Sequence, residues 1–183
     1  MKKISFIIFI LLFGCKPEKI DPWIMTAPAG DLYVEINKEG KTVLPNGRFI
    51  SPPGLTHEVA PHPYGLVVSP DGRIAVTSNS GTNPLSISIL RDITSEKPEK
   101  QQIPPGPSTD EGVLASVFMG LAISNDNSSV YVAGGQENKI FIFDMRNGDL
   151  QGYIDCAFVD AEHDYSHGYI GDMVLSKDGQ TLY

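Results

Sequence analysis

The sequence of 183 residues has only two cysteines and one tryptophan, and its N-terminal apolar run is too short to cross a bilayer. That run, residues 4–13, is ten residues long, whereas a membrane-spanning helix needs about 20. The G-x-S-x-G, H-E-x-x-H, P-loop and Rossmann motifs are also missing. No residue is therefore assigned a catalytic or metal-binding role by motif, and no cofactor is expected.

Positive charge is scarce as well. The sequence has 14 Lys and Arg against 22 Asp and Glu, which gives a formal net charge of −8. A surface of this sign is repelled by nucleic-acid phosphates and by anionic lipid headgroups. We therefore expect no nucleic-acid partner and no membrane binding through charge.

The sequence does contain a short unit that occurs three times, at residues 66–77, 121–132 and 173–183. Each copy is an apolar run, a Ser-x-Asp-(Gly/Asn) corner and a second apolar run. Asp-Gly between β-rich runs is a strong hairpin signal, because the tight turn needs a residue with positive φ. Asn127 replaces the Gly72 of the first copy, and Asn tolerates positive φ best after Gly.

The spacing of the copies predicts the fold class. The corner serines are 55 and then 52 residues apart, and a strand-rich period near 50 is typical of propeller blades. The sequence predicts an all-β fold, a partial β-propeller with four-stranded antiparallel blades, of which about two and a half are present. The predicted strands are residues 65–69, 73–78, 86–90 and 100–103 in the first blade, and 120–124, 129–133, 139–144 and 149–154 in the second. Upstream, residues 32–36 are predicted as a strand that could close the ring, and residues 45–47 as a hairpin turn.

The N-terminus has the pattern of a secretory leader. Lys2 and Lys3 precede the apolar run, and Gly14 precedes Cys15. This arrangement resembles the bacterial lipobox, which implies cleavage before Cys15 and attachment of several acyl chains to that residue, enough for stable anchoring. Lys16, in place of an aspartate, favours the outer membrane of the cell envelope, facing the periplasm or the exterior. An ordinary signal peptide that happens to contain a cysteine is the alternative.

The strands also carry a family resemblance. Residues 74–79 (Ile-Ala-Val-Thr-Ser-Asn) and 130–134 resemble the Tyr-Val-Thr-Asn strand of YVTN-repeat propellers, and residues 138–144 resemble the third strand of that repeat. Residues 44–48, 63–65 and 168–172 are similar to YncE-like proteins. In many of those proteins an alkaline-phosphatase-type phosphoesterase domain follows the propeller. Its metal and nucleophile residues would lie downstream, so none maps onto this sequence.

The expected domain organisation is a lipoprotein signal peptide at residues 1–14, a tether at 15–30 and an incomplete YVTN-type propeller at 31–183. Its blades are expected near residues 64–104, 119–155 and 170–183. Propellers of this kind have about seven blades and roughly 350 residues. We therefore expect the sequence to be the N-terminal fragment of a longer protein.

Candidate ligand-binding residues follow from the propeller geometry. The loops that lead into the first strand of each blade shape one end of the central channel, and Asp172 and His167 are the first candidates there. His163 and His167 have a spacing used for zinc on helices, but no helix is indicated, and a polar loop is expected instead. Cys156, left without a partner if Cys15 is acylated, is expected to be a small buried hydrophobe.

Two functions from different classes are compatible with the sequence. The first is a non-catalytic binding or scaffold module of an envelope lipoprotein, with a C-terminal catalytic domain in the same chain. The second is a propeller hydrolase of lactonase type, in which acidic or His residues at the channel mouth carry the chemistry. Extension of the reading frame past Tyr183 would discriminate between them, because metal-binding Asp and His motifs downstream favour the first.

Overall fold

The computed structural model describes residues 25–37, 40–80, 85–104 and 119–183. Within these ranges there is no helix, and so none long and apolar enough to span a membrane. The chain divides into two compact units, residues 1–56 and 57–183. The leader, Cys15 and most of the expected tether lie outside the described residues.

The first unit contains one short hairpin, β1 (Thr42–Val43) and β2 (Phe49–Ile50), paired antiparallel as the turn at residues 45–47 predicts. Gly47 in that turn has a φ of 71°. The predicted strand at residues 32–36 is wrong, because only Glu35 forms a bridge, with Val43. The N–H of Asn37 donates to Thr42 Oγ1 at 3.1 Å, so a side chain takes the place of the next backbone partner and no ladder follows.

The second unit contains two sheets of four antiparallel strands. The first sheet is β3 (Pro63–Val68), β4 (Ile74–Asn79), β5 (Ser86–Arg91) and β6 (Glu99–Ile103). The second is β7 (Leu121–Ile123), β8 (Ser129–Ala133), β9 (Lys139–Asp144) and β10 (Leu150–Asp155). In each sheet the strands lie side by side in chain order, which is the architecture of propeller blades. The predicted partial β-propeller is confirmed.

The third copy of the repeat folds back on itself and packs against the second blade. Val174 and Tyr183 exchange two backbone hydrogen bonds of 2.9 Å, and Leu175 forms a bridge with Leu182. These contacts make the third copy a hairpin equivalent to the first two strands of each blade.

Alternation along the strands of the second blade divides its side chains between two cores. In β9, Phe141 and Phe143 belong to the core shared with the first blade, while Ile140 belongs to the core shared with the third repeat. The first core consists of Val76, Ile87, Ile89, Ile103, Leu121, Ile123, Val130, Val132, Phe141, Phe143 and Met145. The second is smaller and is built on Ala122, Ala133, Ile140 and Met173. Burial of these apolar faces holds the three repeats together.

The three Ser-x-Asp corners have one geometry. In each, the serine hydroxyl donates a hydrogen bond to the aspartate carboxylate. The same hydroxyl oxygen accepts the backbone N–H of the residue five positions after the serine, which links the two ends of the turn. The hydroxyl-to-carboxylate distances are 2.5 Å for Ser69–Asp71, 2.6 Å for Ser124–Asp126 and 2.6 Å for Ser176–Asp178. The residue after each aspartate has positive φ: 72° at Gly72, 60° at Asn127 and 71° at Gly179. The prediction of positive φ at Gly72 is confirmed.

Candidate functional site

The two ends of the blades differ in chemistry. One end holds the Ser-x-Asp corners, and we call it the corner end. At the opposite end β3 and β7 begin, and the connection from β10 to the third repeat crosses it. The N–H of Ile170 donates to the carbonyl of Gly135 at 3.1 Å, which fixes this connection beside the β8–β9 turn. Among the residues that the structure describes, six large apolar or aromatic side chains are exposed at this second end, which we call the aromatic end: Tyr64, Met119, Phe158, Val159, Tyr165 and Tyr169.

The inner strands approach one another closely at the aromatic end. Gly65 lies against the carbonyl oxygen of Met119, where a Cβ would collide with it. One repeat later, the N–H of Gly120 donates to the carbonyl of Gly171 at 2.8 Å. A Cβ on Gly120 would lie 2.9 Å from that same oxygen. Glycine is therefore required where each inner strand meets the backbone of the next repeat.

Asp172 occupies the equivalent position in the third repeat, next to buried Met173. Its side chain is exposed, and Oδ1 accepts the N–H of Met173 at 2.9 Å. His167 is also exposed. Among the described residues, no hydrogen bond or ion pair joins His167 to Asp172. The two candidates from the sequence lie on one connection but do not form a shared polar site in this structure.

A buried asparagine fastens the connection from β10 to the third repeat. Asn138, in the β8–β9 turn, has a φ of 53° and donates from Nδ2 to the carbonyl of Tyr165 at 2.8 Å. Gly168 passes so close to the Asn138 side chain that a Cβ there would lie 2.5 Å from Oδ1. This hydrogen bond joins two residues that are 27 positions apart in the sequence, and it holds the loop against the β8–β9 turn.

The tip of this loop is a small hairpin stabilised by its own acids. Tyr165 N donates to Phe158 O at 2.7 Å, and Asp160 Oδ1 accepts the N–H groups of Glu162 and His163 at 2.8 and 2.7 Å. The rings of His163 and Tyr165 stack at 5.7 Å between centroids, 11° from parallel.

The loop carboxylates are held in their ionised form by groups of their own loop. Backbone N–H bonds, that of Glu162 first, lower the pKa of Asp160. The pKa of Asp164 is lowered first by the Ser166 hydroxyl, at 2.5 Å, and then by the Ser166 N–H. Both carboxylates therefore act as acceptors inside the loop.

The described residues contain no group of three or more His, Cys, Asp or Glu side chains placed to hold a metal ion. His163 is instead within 3.3 Å of Asp160, as part of the hairpin tip. Cys156 is a free thiol that packs at the edge of the second core, and partial burial, with a smaller effect of Asp155, raises its pKa. A partly buried thiol with a raised pKa is a packing residue and a poor nucleophile.

Sequence reasoning missed the exposed aromatic residues of the loop and the role of Asn138. The signal for the first is the cluster of Phe158, Tyr165 and Tyr169 in a polar stretch between strands. No local signal marks Asn138, because its partner, Tyr165, is distant in sequence.

No protein-family model matches the chain, and no curated protein matches it. Solved structures with similarity to the chain include hydrazine synthase from Kuenenia stuttgartiensis. It is 18% identical with a TM-score of 0.48, and the matched region covers 73% of this chain and 32% of the hydrazine synthase chain. The periplasmic gluconolactonase PpgL from Pseudomonas aeruginosa is 21% identical with a TM-score of 0.44, covering 78% and 41%. A putative 6-phosphogluconolactonase from Bacteroides uniformis is 18% identical with a TM-score of 0.44, covering 78% and 42%. The chain thus spans less than half the length of each of these proteins, and no activity is assigned from the likeness.

Proposed function

We propose that the chain is a non-catalytic β-propeller module of a bacterial envelope lipoprotein, and that its aromatic end binds a partner. The observation that carries this proposal is the concentration of exposed large apolar and aromatic side chains at that end. Exposed apolar groups gathered on one surface are typical of protein interaction sites, and aromatic residues are enriched in such interfaces. The partner we propose is a C-terminal phosphoesterase-type domain of the same polypeptide, on the basis of the YncE-like motifs.

The loop carboxylates Asp160 and Asp164 are not suited to act as general acids. A general acid needs a raised pKa to hold its proton near neutral pH, whereas the pKa values of Asp160 and Asp164 are lowered. Their oxygens already accept hydrogen bonds from their own loop. These groups serve to hold the aromatic side chains in place for a partner.

The partner domain can be tested by size and by footprinting. An antibody against residues 57–183 should detect, in the source cells, a polypeptide clearly longer than 183 residues. In that longer protein, hydroxyl-radical labelling of Phe158 and Tyr165 should be reduced several-fold relative to the 183-residue chain. Tyr153, exposed on β10, is the matched control and should be labelled equally in both. Detection of the 183-residue species alone, or equal labelling of Tyr165, would contradict the proposal.

The hydrolase alternative is tested directly with a lactone. The 183-residue chain incubated with δ-gluconolactone should give the same rate as buffer. A rate above buffer that is lost in Asp172→Asn or His167→Ala would replace the proposal with a propeller hydrolase.

Anchoring through Cys15 is a separate part of the proposal. In a bacterial host, Cys15→Ser should abolish labelling with radioactive palmitate and release the protein from the membrane fraction. Cys156→Ser is the matched control and should leave labelling unchanged. Undiminished labelling of Cys15→Ser would rule out the lipoprotein assignment.

A further inference from the structure

The outermost strand of each blade has one edge with no paired strand among the described residues. These strands are β6 in the first blade and β10 in the second. The β6 edge carries charge, because Glu99 pairs with Arg91 and Lys100 is exposed. Charged side chains on an edge strand oppose the addition of another strand, and natural sheets use them for that purpose. The first blade is therefore protected at its outer edge.

The β10 edge lacks this protection. Within this strand only the last residue is charged, and Leu150 and Tyr153 are 42% and 55% exposed. The N–H of Cys156 donates to the carbonyl of Asn138 at 3.0 Å, on the side of β9. Because antiparallel pairing alternates, the N–H and C=O groups of Tyr153 and Asp155 point away from β9, to the open edge. The backbone of β10 is therefore available to pair with an extended peptide.

A β-bulge brings the exposed apolar side chains of β10 to one side of the sheet. Leu150 and Tyr153 are three residues apart, a spacing that puts two side chains on opposite sides of a regular strand. The register shift that follows Leu150 changes this, because Leu150 lies opposite Phe143 and Tyr153 lies opposite Phe141. Both phenylalanines belong to the first core, so Leu150 and Tyr153 share the side that faces the first blade.

This side of β10 has a complete neighbour. The first blade has all four of its strands, and the third repeat lies on the opposite side of the second sheet, where Ile140 packs with Met173. The exposure of Leu150 and Tyr153 is therefore set by how the first two blades diverge at their outer strands. The result is an apolar surface beside an open strand edge.

Both ends of β10 are acidic. Asp149 precedes the strand and Asp155 ends it; both are exposed, and neither forms an ion pair within the described structure. Lys139 lies opposite Asp155 in the register, but its Nζ lies over the Tyr153 ring, 4.6 Å from the centroid. The whole chain has a formal net charge of −8. A basic segment is therefore attracted to this edge, whereas a second copy of the chain is repelled.

We propose that β10 binds an extended basic segment of another protein as an added strand. The backbone of the segment pairs with Tyr153 and Asp155, its apolar side chains pack on Tyr153 and Leu150, and a lysine or arginine lies beside Asp155. In strand addition the main-chain hydrogen bonds supply affinity and the alternate side chains supply specificity. This site goes beyond the partner proposed for the aromatic end and does not depend on it.

A synthetic peptide provides the probe. In the labelled peptide Lys-Thr-Val-Thr-Val-Thr-Lys, the lysines and valines fall on one side of an extended strand. Binding to the 183-residue chain in detergent is measured by fluorescence anisotropy at low salt. Replacement of both lysines by glutamate should weaken binding at least about fivefold.

N-methylation of the peptide separates strand addition from attraction by charge alone. The N–H groups of the valines face β10 in the added strand, so methylation of both should weaken binding at least about tenfold. The N–H groups of the threonines face away, and methylation of two of them is the matched control, with binding within about twofold of the parent peptide.

Variants of the chain test the same contact. Tyr153→Ser and Asp155→Lys should each weaken binding of the lysine peptide at least about fivefold, and Asp155→Lys should bind the glutamate peptide better than the wild type does. Tyr153→Phe keeps the ring and should retain binding. Glu96→Lys is the matched control for charge, at an exposed residue of the β5–β6 turn, and should bind like the wild type.

Several outcomes would overturn the proposal. They are no binding of the lysine peptide up to about 1 mM, equal binding of the lysine and glutamate peptides, and equal losses from methylation of valines and of threonines. A chain that forms dimers without peptide, and that Tyr153→Ser makes monomeric in sedimentation velocity, would assign the edge to a second copy instead. The peptide comparisons use the unaltered chain, so they decide the question even if a chain variant fails to fold.

Discussion

Arg91, the last residue of β5, donates from Nε to the backbone carbonyl of Met145 in the second blade at 2.9 Å. Its Nη2 donates to Gln101 Oε1 at 2.8 Å, and Gln101 Nε2 in turn donates to the carbonyl of Asn147 at 2.7 Å. The Arg91 side chain is mostly buried. One guanidinium thus joins the outer strands of the first blade to the turn that follows β9.

Arg91→Leu should therefore lower the free energy of unfolding by about 1–3 kcal/mol, because the carbonyl of Met145 and the amide of Gln101 lose a charged donor. Urea denaturation of the chain measures this difference. Arg73→Leu, at an exposed arginine in the first corner, should change stability by no more than about 0.5 kcal/mol. Equal effects of the two substitutions would show that the link between the blades contributes nothing specific.

The close approach of Gly65 to Met119 predicts a second effect. Gly65→Ala should destabilise the chain by roughly 1–3 kcal/mol, because the new methyl group would force the inner strands of the two blades apart. Gly171→Ala is the control, since a Cβ there would meet only Tyr169 Cε1, at 4.0 Å. Thermal melts of both variants make the comparison, and a melting temperature for Gly65→Ala equal to that of Gly171→Ala would contradict the packing described here.

The corner at Gly72 predicts a graded response to substitution. Gly72→Val should lower stability by about 1–3 kcal/mol, because a β-branched residue is strained at a φ of 72°. Gly72→Asn should be tolerated much better, since Asn127 adopts a φ of 60° at the same place in the second repeat. If Val and Asn proved equally tolerated in denaturant titrations, the turn geometry would not be the limiting factor.

The pH dependence of stability should reflect Asp144. Hydrogen bonds from the Arg146 side chain, and then from its backbone N–H, lower the pKa of Asp144 to about 2 in the folded chain. A carboxyl with a lowered folded pKa contributes stability above its unfolded pKa, near 4, and loses it as the pH falls towards 2. Asp144→Asn should thus be less stable than wild type at neutral pH, and the difference should shrink between about pH 4 and pH 2.

Melts across that pH range test the assignment. Glu96→Gln is the control, because the described structure gives this exposed carboxylate no hydrogen bond or ion pair. A difference between Asp144→Asn and wild type that stays constant from neutral pH to pH 2 would show that the ionised carboxylate is not responsible.

The buried hydrogen bond of Asn138 predicts a local effect. Asn138→Ala should lower stability by about 1–2 kcal/mol and speed hydrogen exchange at Gly168, whose N–H is bonded at 3.3 Å to the carbonyl of Tyr165. The control is Asn147→Ala, at an exposed asparagine of the corner end. Unchanged exchange at Gly168 in Asn138→Ala would mean that the loop is held by other contacts.

The sequence by itself determined what depends on near neighbours. The corners form where a Ser-x-Asp unit is followed by Gly or Asn, because all their hydrogen bonds close within a few residues. The blade strands follow from alternation, since period 2 in residues such as Phe141 and Ile142 assigns them to opposite faces of one sheet. Residues 32–36 have an equally strand-like composition but form only the Glu35–Val43 bridge, because a strand also needs a continuous row of backbone partners.

Only the tertiary structure decided which faces are covered and which polar groups meet. Leu66 and Leu121 occupy the same place in the repeat, yet one is open and the other buried, because burial depends on the neighbouring repeat. Asp172 and His167 are close in the sequence but share no hydrogen bond or ion pair in the described structure, whereas Arg91 and Met145 are 54 residues apart and hydrogen-bonded. Such contacts depend on how blades stack, and that packing is a property of the whole sheet array that no local pattern encodes.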